Sequence, residues 1–175
     1  DSNGDGISDV SVLQIGTGIT IALKGIDVVD GFGFQGGGIY NAGSLTVSNC
    51  SLTDNTATAD GGAIFNYPGS AAVITNSIFS NNSALPSAAN FSGGAIMNFG
   101  TLSVTDSEFI DNHAENNGGA IVNASGPTSG QNRIFSGNTI PGKGGAINAA
   151  LLAVARSHGG HVGAPDVHAV QADDT

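Results

Sequence analysis

The residues best suited to chemistry lie at the start of the chain. Asp1, Asn3, Asp5 and Asp9 stand in the string D-x-N-x-D-G-x-x-D. Alternate residues of an extended loop point the same way, Gly6 permits a sharp turn, and Ile7 has a carbonyl to offer. Hard oxygens in that arrangement suit calcium. We therefore expect Asp1, Asn3, Asp5, Ile7 and Asp9 to hold a calcium ion as the one cofactor. The histidines are less suggestive. His158-Gly-Gly-His161 is a close pair, but a structural transition-metal site wants about four ligands, and neither cysteine nor an acidic cluster lies near to complete it. These two, with His113 and His168, read as solvent-facing.

Acid–base chemistry has candidates too. Asp54, Asp60, Glu108, Asp111 and Glu115 fall in or near turns, and a carboxylate pair across neighbouring turns could protonate and deprotonate a sugar substrate. The only basic residues are Lys24, Arg133, Lys143 and Arg156, and none shares a repeated face with an acidic cluster. The acids therefore read as solvated turn residues, and no catalytic residue is assigned. Cys50 is the one cysteine, so it cannot close an internal disulfide; it reads as a small buried residue.

These groups must be positioned by something other than an ordinary aromatic core. The chain has 175 residues, with 28 Gly, 17 Asn and no Trp. The 14 acidic residues against 4 basic ones give a net charge of −10, which repels phosphate backbones and anionic membranes, so nucleic acid is excluded as a partner. No apolar run approaches ~18 residues, so no transmembrane helix is expected. The chain opens at Asp1 without a signal-like core, as expected of a mature protein or an excised piece. The sequons at Asn49, Asn81, Asn90 and Asn123 are about as many as chance would place.

An internal repeat decides the architecture. The string Gly-Gly-Ala/Gly-Ile recurs five times, with Ile39, Ile64, Ile96, Ile121 and Ile147 spaced by 25, 32, 25 and 26 residues. A second hydrophobic column reads Ile26, Leu52, Phe79, Phe109 and Phe135. A third reads Ile21, Val47, Ile74 and Val104, and a fourth Ile19, Leu45, Ala72 and Leu102. Within each repeat apolar and polar residues alternate, as in Leu45-Thr46-Val47, which is strand period. A unit of about 27 residues cannot bury its own apolar face, but stacked units can. The expected fold is all-β: a single-stranded parallel β-helix, right-handed, of about five or six coils.

Two asparagine columns fit that stack. Asn41, Asn66, Asn98 and Asn123 follow the isoleucines by two residues; Asn55, Asn82, Asn112 and Asn138 follow the second column by three. Stacked amides can bond to one another and to corner backbone. Gly-Gly marks a corner where a side chain would clash. The end coils are expected to be less regular, since Asn148 comes one place early, Ser125 to Asn132 is polar where a strand belongs, and Lys24 and Arg133 stand in the place of Cys50, Ser77 and Ser107. Those two cations are expected to face solvent. Residues 1–11 form the calcium-loop-like start, 12–148 the repeats, and 149–175 a cap or tail whose stretch from Ala149 to Arg156 suits a short helix or strand.

The paired strings are Gly61-Gly62-Ala63-Ile64 with Phe79-Ser80-Asn81-Asn82, Gly93-Gly94-Ala95-Ile96 with Phe109-Ile110-Asp111-Asn112, and Gly118-Gly119-Ala120-Ile121 with Phe135-Ser136-Gly137-Asn138; Gly144-Gly145-Ala146-Ile147 follows. They resemble the repeats of the polymorphic outer membrane protein family, over about residues 36–148, with Leu52 in the first Phe place and Gly38 in the first Ala place. The resemblance implies an extracellular, cell-surface location and a structural or adhesive job. The N-terminal string resembles the nine-residue calcium loop of integrin-type repeats, and departs from an EF-hand loop at Val12. The expected function is a non-catalytic subunit of a self-assembling surface filament or adhesive layer, joined through coil ends and termini as a homo-oligomer. The alternatives are an adhesin fragment of a larger surface protein, with a glycan or other cell-surface ligand, and a polysaccharide lyase or hydrolase.

Overall fold

A computed structural model describes residues 11–86, 92–141 and 147–149. Among the described residues there is no helix; every named element is a strand, and every named strand pair is parallel. The chain winds into a solenoid of about five turns. The calcium ligands expected at Asp1, Asn3, Asp5, Ile7 and Asp9 lie outside the described residues, as do His158, His161, His168 and the tail from residue 150. The strand Ile147–Ala149 pairs with Ile121–Asn123, so the repeat runs to the last described residue.

Three sheets form the walls. The first stacks Leu13–Ile15, Ile39–Asn41, Ile64–Asn66, Ile96–Asn98, Ile121–Asn123 and Ile147–Ala149. The second carries two strands per turn in most coils. Its hydrogen-bonded order doubles back because Thr101–Ile110 runs unbroken through both columns, and Thr128–Ser136 pairs along it. The third holds short strands whose inward residues are small, namely Gly33, Ala57, Ala84 and Ala114. Small residues there let the opposite walls supply the bulk.

Alternation explains what fills the rod. Ile39, Ile64, Ile96 and Ile121 stack register on register and are buried, with Ile147 packed above them. Leu52 underlies Phe79, whose ring stacks on Phe109 at 4.8 Å and 9°. Phe109 stacks on Phe135 in turn at 5.0 Å and 16°. Corners repeat as faithfully as strands. Asp30, Asp54, Asn81, Asp111 and Gly137 all adopt positive φ (52° to 63°) at one corner, where short polar residues and glycine tolerate the left-handed backbone.

The first coil departs from the expected register. Val28, not Ile26, pairs with Leu52, and Ile26 is 42% exposed. Ile21 and Leu23 pair with Leu45 and Val47, leaving Ile19 50% exposed. The sequence Ile19-Thr-Ile-Ala-Leu23 alternates whichever pair is chosen, and a slip of two residues keeps every side chain on its own face. Lys24 consequently lies level with Ser48, outward and exposed, rather than with Cys50. Arg133 does stand over Ser107, but half-buried instead of facing solvent, and burial lowers its pKa. The polar run after Ser125 also forms strand, Thr128–Ser136, because the ladder is made by backbone groups; Gly130 occupies the place of Val104.

The second glycine of the pairs at Gly62, Gly94 and Gly119 lies against the backbone of the next coil. A Cβ on Gly94 would sit 2.1 Å from the carbonyl oxygen of Gly119, whereas a Cβ on Gly16 would meet only Ile19 at 4.0 Å. We expect Gly94→Ala to destabilise the protein by about 3 kcal/mol or more, through strain at a packed corner, and Gly16→Ala to change stability by less than about 0.5 kcal/mol. Denaturant midpoints of the two variants check this.

Candidate functional site

The buried polar residues of the rod form two continuous amide ladders. In the first, Nδ2 of Asn41, Asn66 and Asn98 donates to Oδ1 of the asparagine one coil on, at 2.7, 2.6 and 2.6 Å. Asn123 ends it, since Ala149 stands at the next level. The second ladder is fuller. Oδ1 of Asn82 accepts from the backbone N–H and Nδ2 of Asn55, at 3.1 and 3.0 Å. Nδ2 of Asn82 donates to the Leu52 carbonyl at 2.8 Å and to Asn112 Oδ1 at 2.9 Å. All the bonding capacity of the amide is used within the protein. Asn112 and Asn138 continue the pattern, and at the first coil Gly31 gives only its N–H, to Asn55 Oδ1 at 2.9 Å. The inner members Asn66, Asn82 and Asn112 are fully occupied in holding coils together.

A smaller ladder surrounds the cysteine. The N–H of Cys50 donates to Ser77 Oγ at 3.2 Å, and the N–H of Ser77 to Ser107 Oγ at 3.1 Å. Cys50 is buried, with Sγ 3.2 Å from the Ser48 carbonyl oxygen.

The groups with acid–base chemistry are spread over the outside. Asp54 and Asp111 sit at exposed or half-exposed corners, and Glu108 points out of the second sheet. His113 lies between Thr139 and Glu115: Nδ1 is 2.9 Å from Thr139 Oγ1 and Nε2 is 3.2 Å from Glu115 Oε1. Hydroxyl, imidazole and carboxylate in that order are the parts of a nucleophilic triad. Here they lie at the surface of the third sheet, where water competes for each contact. Among the described residues no three His, Cys, Asp or Glu side chains gather into a metal-binding group. Asp60 is the exception to the exposed pattern, at 4% exposed.

The outer face of the first sheet carries a feature that the sequence reading passed over. Between each inward Ile and inward Asn stands an outward residue, and these are Tyr40, Phe65, Met97 and Val122. Tyr67, Phe99 and Ala124 follow the asparagines and join them. Tyr40 and Phe65 stack at 5.6 Å and 9°, Tyr67 lies 6.0 Å from Tyr40 and 6.4 Å from Phe65, and Phe99 lies 5.7 Å from Phe65. Phe65, Met97 and Val122 are buried, while Tyr67 is 45% exposed. A turn closed by Ser70 holds Tyr67 in place, with Ser70 N–H and Oγ donating to its carbonyl at 3.1 and 2.6 Å. Burial, and secondarily the nearby Tyr67 phenol, raise the pKa of Tyr40. The signal was present in the sequence: Ile-Tyr-Asn-Ala, Ile-Phe-Asn-Tyr, Ile-Met-Asn-Phe and Ile-Val-Asn-Ala are apolar on the side that alternation turns outward.

Comparison with known proteins places this geometry. A model of the Chlamydia polymorphic membrane protein repeat matches residues 49–67, 106–124 and 134–150. Each stretch spans one Leu/Phe-x-x-Asn string and the Gly-Gly-Ala-Ile string that follows it. A relative from Chlamydia pneumoniae, a probable outer membrane protein pmp7, is 36% identical over 137 residues, covering 67% of this chain and 14% of that protein. The chain therefore spans well under two thirds of the relative's length. No solved structure matches it.

The ladders carry a direct consequence. Asn82→Ala leaves the N–H and one Nδ2 hydrogen of Asn55 without partners in the interior and takes one hydrogen bond each from the Leu52 carbonyl and Asn112 Oδ1, and we expect it to destabilise the protein by about 3 kcal/mol or more. Asn138→Ala, at the half-buried end of the same ladder, should cost about 1 kcal/mol. Urea unfolding of both variants, with unchanged slopes, is the check.

Proposed function

We propose that this chain, a repeat protein of the polymorphic membrane protein type, is a segment of a longer cell-surface rod that serves adhesion rather than catalysis. Its location on this reading is extracellular, as the outer membrane name of its relative suggests. The observation that carries the reading is the division of labour across the wall. Inward residues are committed to packing and to ladders; the outer face of the first sheet presents a rigid aromatic patch. Exposed apolar patches on a soluble face mark interaction sites.

The chemistry of the patch suits an uncharged partner. Tyr67 is exposed, Tyr40 and Phe99 are half-buried beside it, and the buried ring of Phe65 lies against all three, so the patch offers ring edges and faces with two phenols. A neutral glycan, with apolar sugar faces and hydroxyls, fits both parts. The lyase or hydrolase reading has less support, because the described carboxylates other than Asp60 stand at the surface, and the one carboxylate close to the imidazole of His113 is Glu115.

Binding of the rod to immobilised neutral glycans and to host cells tests this. We expect Tyr67→Ala to weaken binding at least about tenfold while lowering stability by under about 1 kcal/mol, as befits a half-exposed side chain. Unchanged binding would contradict the role of the patch. Release of oligosaccharide would indicate an enzyme, and fibres in the electron microscope would favour assembly.

A further inference from the structure

One buried ionisable group has no part in either ladder or patch. Asp60 ends the strand Thr56–Asp60 at the corner leading into Gly61-Gly62. It is 4% exposed, and its Oδ1 has no hydrogen-bond partner. An irregularity puts it there. Between the pairs Gly33–Ala57 and Gln35–Asp60 the upper strand has one residue more than the lower, and this bulge turns in a side chain that simple alternation would leave outside.

The corner is a column like the others. Gly36, Gly61, Gly93 and Gly118 all have positive φ, and the residues before them are Gln35, Asp60, Ser92 and Asn117. The N–H groups of Gly36, Gly61 and Gly93 donate to the carbonyls of Asp60, Ser92 and Asn117, at 2.9, 2.8 and 3.0 Å. Every other member is a neutral amide or hydroxyl, and only Asp60 can carry charge. We propose that Asp60 is a proton-gated member of this buried column, so that the corner closes with its carboxyl protonated and loosens when it ionises.

The surroundings give an ionised Asp60 little help. Burial pushes its pKa above the ordinary value of 3.8, and a hydrogen bond from the Gln35 side chain works weakly the other way. The strand beneath, Phe32–Gln35, and residues 92–96 above contain no titratable side chain, and no charged group contributes to the shift. The sign follows from linkage. The folded state holds its proton to higher pH than the unfolded state, so the contribution is fully present below the unfolded pKa and is lost as pH rises through the folded one. The protein would be firmest at this corner in acidic surroundings.

Two measurements test the gate. In the unmodified protein, the side-chain carboxyl carbon of Asp60 followed by NMR should titrate above 3.8, and amide exchange at Gly36 and Gly61, corrected for intrinsic rate, should speed up through the same pH range. In thermal unfolding, Asp60→Asn and Asp60→Ser, which copy Asn117 and Ser92, should match the parent near about pH 3. Their advantage in Tm should then grow and level off above the folded pKa, reaching a few degrees near about pH 7. Titration of Asp60 at or below 3.8, or a Tm difference that does not change with pH, would overturn the proposal. Should neither variant fold, the NMR titration of the parent chain decides alone.

Discussion

The constraint on which everything else rests is the vertical repeat of parallel strands, about 4.8 Å from one coil to the next. A residue inside the rod has the equivalent residue of the next coil as its nearest neighbour. An apolar side chain finds an apolar one, as Phe79 finds Phe109. A buried amide must find another amide, because a single asparagine in that position would leave donors and acceptors unmet. The asparagine columns are thus a consequence of stacking and a reason for it. Breaking one member removes hydrogen bonds from two other coils.

The same constraint explains why so much of the fold is legible in the sequence. The columns through Leu45, Val47, Leu52 and Ile64 and their successors can be read directly, because each position repeats its chemistry. Legibility fails where repetition does. At the first coil, Ile19, Ile21 and Leu23 offer two registers that differ by a full pleat, and only the coil above decides between them. Arg133 looks like a surface cation by type, yet the register puts it over Ser107. Asp60 looks like a turn acid, and only the bulge in its strand shows that it is buried. The aromatic cluster is legible too, since Tyr40, Phe65, Tyr67 and Phe99 stand where alternation turns side chains outward, but its burial is not, because that depends on how the rings pack on one another.

A rod filled in this way constrains its own function. The interior is taken up by packing and ladder bonds, so recognition falls to the outer faces and the ends. The walls differ in kind. The second sheet turns outward a mixture of short polar residues, such as Ser44, Thr46, Ser103 and Thr105, and separate aliphatic ones, Val29, Val73, Ile78 and Ile134. The first turns outward a contiguous aromatic cluster, mostly buried, from which Tyr67 emerges.

The central claim is that successive coils lie directly upon one another through their asparagines. NMR of the side-chain amides of Asn55, Asn82 and Asn112 tests it most directly. The account predicts amide protons protected from exchange with water, with contacts running from each residue to the next in that order. Rapidly exchanging amides with no contact between Asn82 and Asn112 would contradict it.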